Sequence, residues 1–456
     1  MFALLLSAAP SLAAPLPYDM PPADPSRYDP RDAAAVFGPM AAQAQGRAPV
    51  SLMGPGARYL DVYRTGDLAV MHDADGEWFA EALASGGDIN WVLGSIEGAF
   101  YKKFDDDYQY LTILLVRDLG FFVAFYSPMA NDVKGIGYDS VTPGEIFDTS
   151  DNQLDGMIFM NSYGLWTESP PVGRYVFGQE FMHRWGSFVN VEKEGLDTEA
   201  LLGRDVAHWS YFYDTPNSPM EGNDWLDNGD GTWTTQNVAT STYSDLDLYL
   251  MGFVGPDEVG EQTLLIPDAD AAAAAGVEAA TTPSYLDQFS GGANVTLAAT
   301  PVPFTVDDII AAEGERVPSV DDSPKSFKMA FIVMVLSEDV LDDAVIAQID
   351  GVRTTFEADW EADVGGRADL DTTLGNTTAP TWGEPLEDTA GDTDAEDTGT
   401  VDCCKDDGED GGPPTLCGCS GTGSPANAAA LFALAALFAL AALGLARRRA
   451  PLGGVS

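Results

Sequence analysis

All four cysteines of the chain, Cys403, Cys404, Cys417 and Cys419, fall in one short acidic stretch rich in Gly and Pro near the C-terminus. Everything ahead of them must therefore fold without a disulfide framework, on buried apolar area alone. The chain can supply that area: 456 residues with 45 % hydrophobic and 10 % aromatic content suffice for one large domain or two moderate ones. The C-x12-C-x-C spacing of the cysteines fits no common zinc module.

Charge narrows the possible partners. The chain carries 72 acidic and 22 basic side chains, a net -50. Residues 384–410 hold twelve carboxylates and one lysine, which leaves -39 on the remainder, so the body is acidic as well as the tail. Such a field repels nucleic acid and anionic lipid heads and suits a solvated surface outside the cytoplasm. Nucleic-acid binding is excluded on this ground.

The two ends point to export and a membrane tether. Residues 1–14 are a short apolar stretch closing on small residues, read as a signal peptide cleaved after Ala13 or Ala14, although the usual basic start is missing. Residues 15–55 are rich in Pro and Ala and predict an irregular lead-in. Residues 56–376 are patterned as a globular domain. Residues 377–425 are dominated by Thr, Asp, Glu, Gly and Pro, too polar to offset the entropy of ordering, and predict a flexible acidic stalk. Residues 426–446 are apolar except for Asn427, long enough to cross a hydrocarbon core of roughly 30 Å. Arg447, Arg448 and Arg449 follow, which predicts a membrane helix over 426–449 with its arginines in the cytoplasm and the body outside. The order Cys417-Gly-Cys419-Ser, apolar span, arginine cluster resembles the C-terminal sorting tail of the MYXO-CTERM type. That resemblance implies processing near the cysteines and retention on the cell surface.

Within the body, residues 108–116 and 121–126 are short runs of β-branched and aromatic residues separated by Arg-Asp-Leu-Gly, read as neighbouring strands, with residues 156–160 a third. Residues 175–189 predict a helix, with Val176, Phe177, Phe181, Trp185 and Phe188 on its apolar side. Residues 243–252 predict a short helix closed by Gly252, with Ser244 or Asp245 as cap. A strand over 327–336 leads into a helix over 339–360. Strands and helices without regular alternation predict an α+β fold.

The segment Gln179-Glu180-Phe-Met-His183-Arg-Trp185 nearly matches H-E-x-x-H. In that pattern two histidines one helical turn apart bind zinc and the glutamate acts as general base. Here Gln179 stands at the first histidine. Its neutral amide is a weak ligand for zinc, which prefers imidazole, thiolate or carboxylate.

That segment, with Ala207-His208-Trp-Ser, Met220-Glu221-Gly-Asn-Asp-Trp, Asp227-Asn-Gly-Asp-Gly-Thr232, Leu246-Asp247-Leu-Tyr-Leu-Met-Gly252 and Gly366-Arg-Ala-Asp-Leu-Asp371, resembles a group of bacterial surface proteins that look like zincin metallopeptidases. The likeness runs over about residues 100–374. It implies a zincin-like mixed β-sheet packed on an active-site helix, with Glu180 as water-activating base and His183 as metal ligand. The third ligand is Asp247, on a second helix, or His208. Gln179 completes the set as a weak donor, so zinc binding is weakened.

Other features carry less. Asp224, Asp227, Asn228 and Asp230 offer oxygen ligands for calcium, against the simpler reading of a tight hairpin turn before the strand at Thr232. His72 is read as a surface or turn residue. No nucleophile elbow, P-loop or dinucleotide fingerprint occurs. The expectation is a cell-surface zincin-like protein, weak or inactive as a peptidase, with a protein or peptide as ligand. The alternatives are an active zinc endopeptidase using His183 with Asp247 or His208, and a structural or adhesive envelope protein.

Overall fold

The computed structural model describes residues 56–84, 89–117, 124–138, 153–236, 241–283, 294–337 and 339–383. The cysteines, and the signal peptide, the lead-in, the membrane helix over 426–449 and all of the acidic stalk beyond residue 383 that the sequence leads one to expect, lie outside these residues. No helix among the described residues is long and apolar enough to cross a membrane.

A seven-stranded mixed sheet forms the first layer. It comprises β1 (Asp61–Thr65), β2 (Leu68–His72), β3 (Tyr110–Leu115), β4 (Phe125–Pro128), β5 (Gly156–Ser162), β11 (Ser326–Val335) and β12 (Asp369–Asp371). The order is β1-β2-β11-β3-β5-β4, with β12 pairing beside the start of β11. Strands β2, β11, β3 and β5 run parallel, while β1 and β4 are antiparallel edges. β3 is buried along its whole length, which is why it reads as a continuous apolar run rather than an alternating one. Its side chains divide between two cores. Tyr110 and Leu114 enter one cluster with Phe331 and Val333, and Leu111 and Ile113 enter the other with Ala330 and Ile332.

Helices α1 (Glu77–Ala84) and α2 (Ile89–Phe100) close the second of these faces through Trp78, Leu93, Ile96 and Phe100. The opposite face carries α3 (Tyr163–Glu168), α4 (Pro170–Met182) and the long α8 (Asp343–Asp363). Beyond them lies a closed five-stranded barrel of order β10-β8-β7-β6-β9, which the sequence patterns did not foresee. Its strands are β6 (Trp209–Asp214), β7 (Glu221–Asp227), β8 (Thr232–Gln236), β9 (Gln262–Pro267) and β10 (Thr296–Phe304). Three short helices accompany it, α5 (Asp245–Met251), α6 (Ala269–Ala275) and α7 (Val306–Glu313).

Three expectations are corrected. The runs near 110 and 125 are strands but not neighbours, because β5 inserts between β3 and β4 and pairs with both. The helix predicted from residue 175 starts at Pro170, where prolines in the first turn set the backbone torsion and need no amide partner. It ends at Met182, because the amides of Arg184 and Trp185 turn back to the carbonyls of Phe181 and Met182 in a tight i to i-3 closure. The body also continues past residue 376. Arg64 N–H donates to Pro380 O, Trp382 N–H donates to Arg64 O, and the Trp382 ring meets Tyr63 and His72 edge-on. His72 is thus a strand residue packed under this strap.

Helix α4 is clamped from both sides. Phe177 stacks on Phe356 of α8 at 4.5 Å, and Phe181 meets Tyr110 of β3 at 4.6 Å and Trp360 of α8 at 4.9 Å. Arg174 pairs with Asp359 at 3.2 Å and with Asp363 on the same helix. The clamp positions the sequence motif, since it turns the aromatic side of α4 into the core and commits Gln179 and His183 to the barrel side. Phe177 is 1 % exposed. Replacing it with alanine is expected to cost about 3–5 kcal/mol of stability, measured by urea unfolding, from lost burial and the cavity left behind.

Candidate functional site

Residues Gln179 and Glu180 lie in the last turn of α4, and His183 is its C-cap, in right-handed helical conformation. The His183 amide still bonds the Gln179 carbonyl at 3.2 Å, so the two side chains stand one helical turn apart as the motif requires. What they meet comes from the barrel. Gln179 Nε2 donates to Glu221 Oε1 at 3.4 Å, and the His183 ring packs edge to face on His208, with centroids 5.0 Å apart.

Arg204 joins these two contacts. Its Nε donates to Glu221 Oε1 at 2.9 Å, a second bond to the same oxygen comes from Nη2, and Nη2 lies 2.9 Å from His208 Nε2. Asp205 takes the Nη1 end at 3.1 Å. The segment is held in place by Gly203, where a Cβ would come within 2.5 Å of Trp209 O. Asp205, Val206 and Glu221 all have positive φ, at 58°, 56° and 77°. For Val206, a β-branched residue, this conformation is strained, and such strain persists only where the surroundings over-determine it.

The electrostatics follow from burial around a fixed positive charge. Burial raises the Glu180 carboxyl from 4.5 to about 8, against the opposing pull of Arg204 and a bond from the Tyr126 backbone amide on β4. Glu180 is therefore protonated at neutral pH. Burial first, then His208, pushes His183 down, and burial with Arg204 pushes His208 down, so both imidazoles are neutral. Glu221 is raised by burial, with Arg204 acting in the other direction.

Of the residues singled out from sequence, Gln179, His183 and His208 converge. Asp247, one of the two candidates for a third ligand, does not join them, because its carboxylate is committed elsewhere. Its Oδ1 accepts from Trp209 Nε1 at 2.7 Å, and its Oδ2 accepts from Ser218 Oγ at 2.7 Å and from the amide and hydroxyl of Ser244 at 2.7 and 2.8 Å. With Ser244 as N-cap this is a capping box at the start of α5, so Asp245 is not the cap. The acidic loop offered for calcium is a hairpin between β7 and β8. Asp227 Oδ1 accepts from Gly229 N and Asp230 Oδ1 from Thr232 N, turn bonds that need no ion.

Two residues of the cluster had no role assigned from sequence, Arg204 and Glu221. Glu221 lay within a quoted motif, but nothing in Met220-Glu221-Gly-Asn signals a buried carboxylate. Arg204 and His208 stand four positions apart in a segment without helical periodicity, so their meeting was not readable.

As it stands the cluster does not fit zinc. His208 Nε2 and Glu221 Oε1 are engaged by a guanidinium, Gln179 is a poor donor, and Asp247 is committed elsewhere. Among the described residues no three of His, Cys, Asp or Glu are arranged to hold a metal ion. In comparisons with protein-family models, curated proteins and solved structures, nothing matches this chain.

Glu180 gives the site a measurable pH signature. The folded chain keeps a proton on Glu180 that the unfolded chain releases above about 4.5, so its contribution to stability is whole below that pH and is lost as pH rises through about 8. The depressed histidines act oppositely, contributing above 6.5 and losing that contribution as pH falls. Glu180→Gln is therefore expected to gain on wild type steadily between pH 6 and 8.5 in urea unfolding. Parallel stability profiles would contradict the buried, protonated state.

Proposed function

We propose that this chain is an exported, envelope-held protein of zincin-like form whose peptidase-type centre no longer hydrolyses, and which binds an extended peptide or protein segment instead. The observation that carries this reading is the state of Glu180. A water-activating base must be ionised and open to the reacting water. Glu180 is instead buried beside the amide of Tyr126, and that burial pushes its carboxyl up to about 8, which favours the protonated form at neutral pH.

The amide at Gln179 supports the same conclusion, because its Nε2 is tied to Glu221 and its neutral oxygen is a weak donor to zinc. Ligand binding is suggested by β4, which among the described residues pairs only with β5 and lies at the edge of the sheet beside Glu180. An edge strand can accept an extended segment through those of its backbone groups that remain unpaired. Export and tethering are inferred from the two apolar termini and the arginine cluster.

The purified body, assayed with added zinc on casein and on a mixed peptide library, is expected to show no cleavage above the Glu180→Gln variant. Turnover that this substitution abolishes would reject the reading in favour of an active endopeptidase. On intact cells, external protease is expected to degrade the body, and protection until the membrane is ruptured would reject the surface location.

A further inference from the structure

We propose that the open acceptors of this cluster, Glu221 Oε2 with Gln179 Oε1 and His183 Nε2, receive a primary ammonium group of the bound segment, its N-terminal amine or a lysine side chain. This deepens the peptide-binding reading of the centre and rests on it. Glu221 is 1 % exposed. Its Oε1 takes bonds from Arg204 Nε and Nη2 and from Gln179 Nε2, while its Oε2 is buried without a hydrogen-bond partner. A carboxylate oxygen left unpaired in the interior is costly and calls for a donor.

The cluster has already spent its donors. Arg204 gives Nε and Nη2 to Glu221, Nη2 also to His208 Nε2, and Nη1 to Asp205. His183 Nδ1 lies 3.1 Å from Gly186 O, and a carbonyl can only accept, so the ring proton sits there and Nε2 keeps its lone pair. Among the described residues nothing donates to His183 Nε2 or to Gln179 Oε1. The open positions are therefore acceptors alone. An ammonium brings three N–H donors and no acceptor, whereas a hydroxyl or carboxyl would set lone pairs against lone pairs. A guanidinium fork is matched to both oxygens of a carboxylate, and only one oxygen of Glu221 is open.

Charge favours the same ligand. Arg204 faces two carboxylates, Glu221 and Asp205, and the neutral imidazoles of His183 and His208 add nothing positive, so one negative charge is left over. The chain as a whole carries a net -50, a field that draws cationic segments to its surface. No three of His, Cys, Asp or Glu are arranged for a metal ion among the described residues, and an ammonium needs no such set, since amide, imidazole and carboxylate acceptors each take one of its protons. The approach is from the side where the Arg204 and Asp205 side chains are 17 % and 30 % exposed and His183 is partly exposed. Glu180, next to Gln179 in α4, touches the Tyr126 amide of β4, so the strand that would hold the segment is joined to the cluster through one residue.

Binding is read first on peptides. The full-length chain is expected to retain members of a random peptide library bearing free amines, and to hold them at least about 10-fold more weakly once every amine is acetylated. Acetylating the N-termini alone or the lysines alone identifies which ammonium is taken. Glu221→Gln, which keeps the shape and removes the charge, is expected to weaken retention by a similar factor. Should that variant not fold, the wild type decides by itself. n-Butylammonium chloride is expected to shift the nitrogen-15 resonance of His183 Nε2 saturably, while n-butyltrimethylammonium chloride, of equal charge but without an N–H, leaves it in place. The proposal fails if full acetylation leaves retention unchanged, or if the two salts act alike on His183. Retention indifferent to acetylation still leaves the peptide-binding reading standing. If no peptide is retained, that reading falls and the salt titration alone decides, whereas hydrolysis by the wild type sinks the non-hydrolytic reading and does not touch the ammonium preference.

Discussion

Phe177 and Phe181 decide where everything else in the site can be. One stacks on Phe356 of α8 and the other wedges between Tyr110 of β3 and Trp360, so α4 has a single rotational setting about its axis. Rings of this size have few ways to repack, and interiors are dense enough that a turned helix would leave a void on one side and a clash on the other. Gln179 and His183 therefore face the barrel by consequence of aromatic packing on the far side. The same rotation sends Glu180 toward the edge strand, where the Tyr126 amide receives it. The chemistry of the centre is thus set by contacts that contain no chemistry of their own.

Asp247 plays the matching part on the barrel side. Its carboxylate gathers an indole from β6, a hydroxyl from the loop before β7, and the amide and hydroxyl at the start of α5. The start of β6, the loop before β7 and the start of α5 are tied to one side chain that is wholly buried. Burying a carboxylate is tolerable only when its oxygens are hydrogen-bonded, and here both accept hydrogen bonds. Asp247 holds Trp209, and with it the neighbouring His208, in register with the loop that delivers Glu221. Its value lies in alignment, which explains how an acidic residue can sit close to a candidate centre without belonging to it.

Much of the scaffold was legible in the sequence where a local rule was sufficient. The runs that became β3 and β11, the short helix closed by Gly252 and the Asp-Asn-Gly-Asp-Gly hairpin each follow from periodicity or turn chemistry within a dozen residues. Legibility ended where pairing was non-local. Nothing near residues 110–126 announces that a strand some thirty residues further on will slip between the two runs. The barrel was missed for the same reason, since β6 and β7 pair in parallel with a register shift and are joined to β9 and β10 across long connections. In the site, the helical pair Gln179 and His183 could be anticipated from the spacing alone. Arg204 and Glu221 could not, because their encounter depends on positive-φ turns at Asp205, Val206 and Glu221 that no residue preference advertises.

The strap over residues 377–383 also bears on how the fold meets force. Thr381 pairs with Arg64 in parallel fashion along the outer strand, and Trp382 presses its ring against Tyr63 and His72 while its indole nitrogen reaches Leu341 O. Tension drawn through the chain beyond residue 383 enters here, along the strand direction, so several bonds must shear together rather than peel apart one at a time. From β1 the pairing continues into β2 and the parallel core. A pull on this end would leave the histidines and their arginine unstrained until the tryptophan latch has given way.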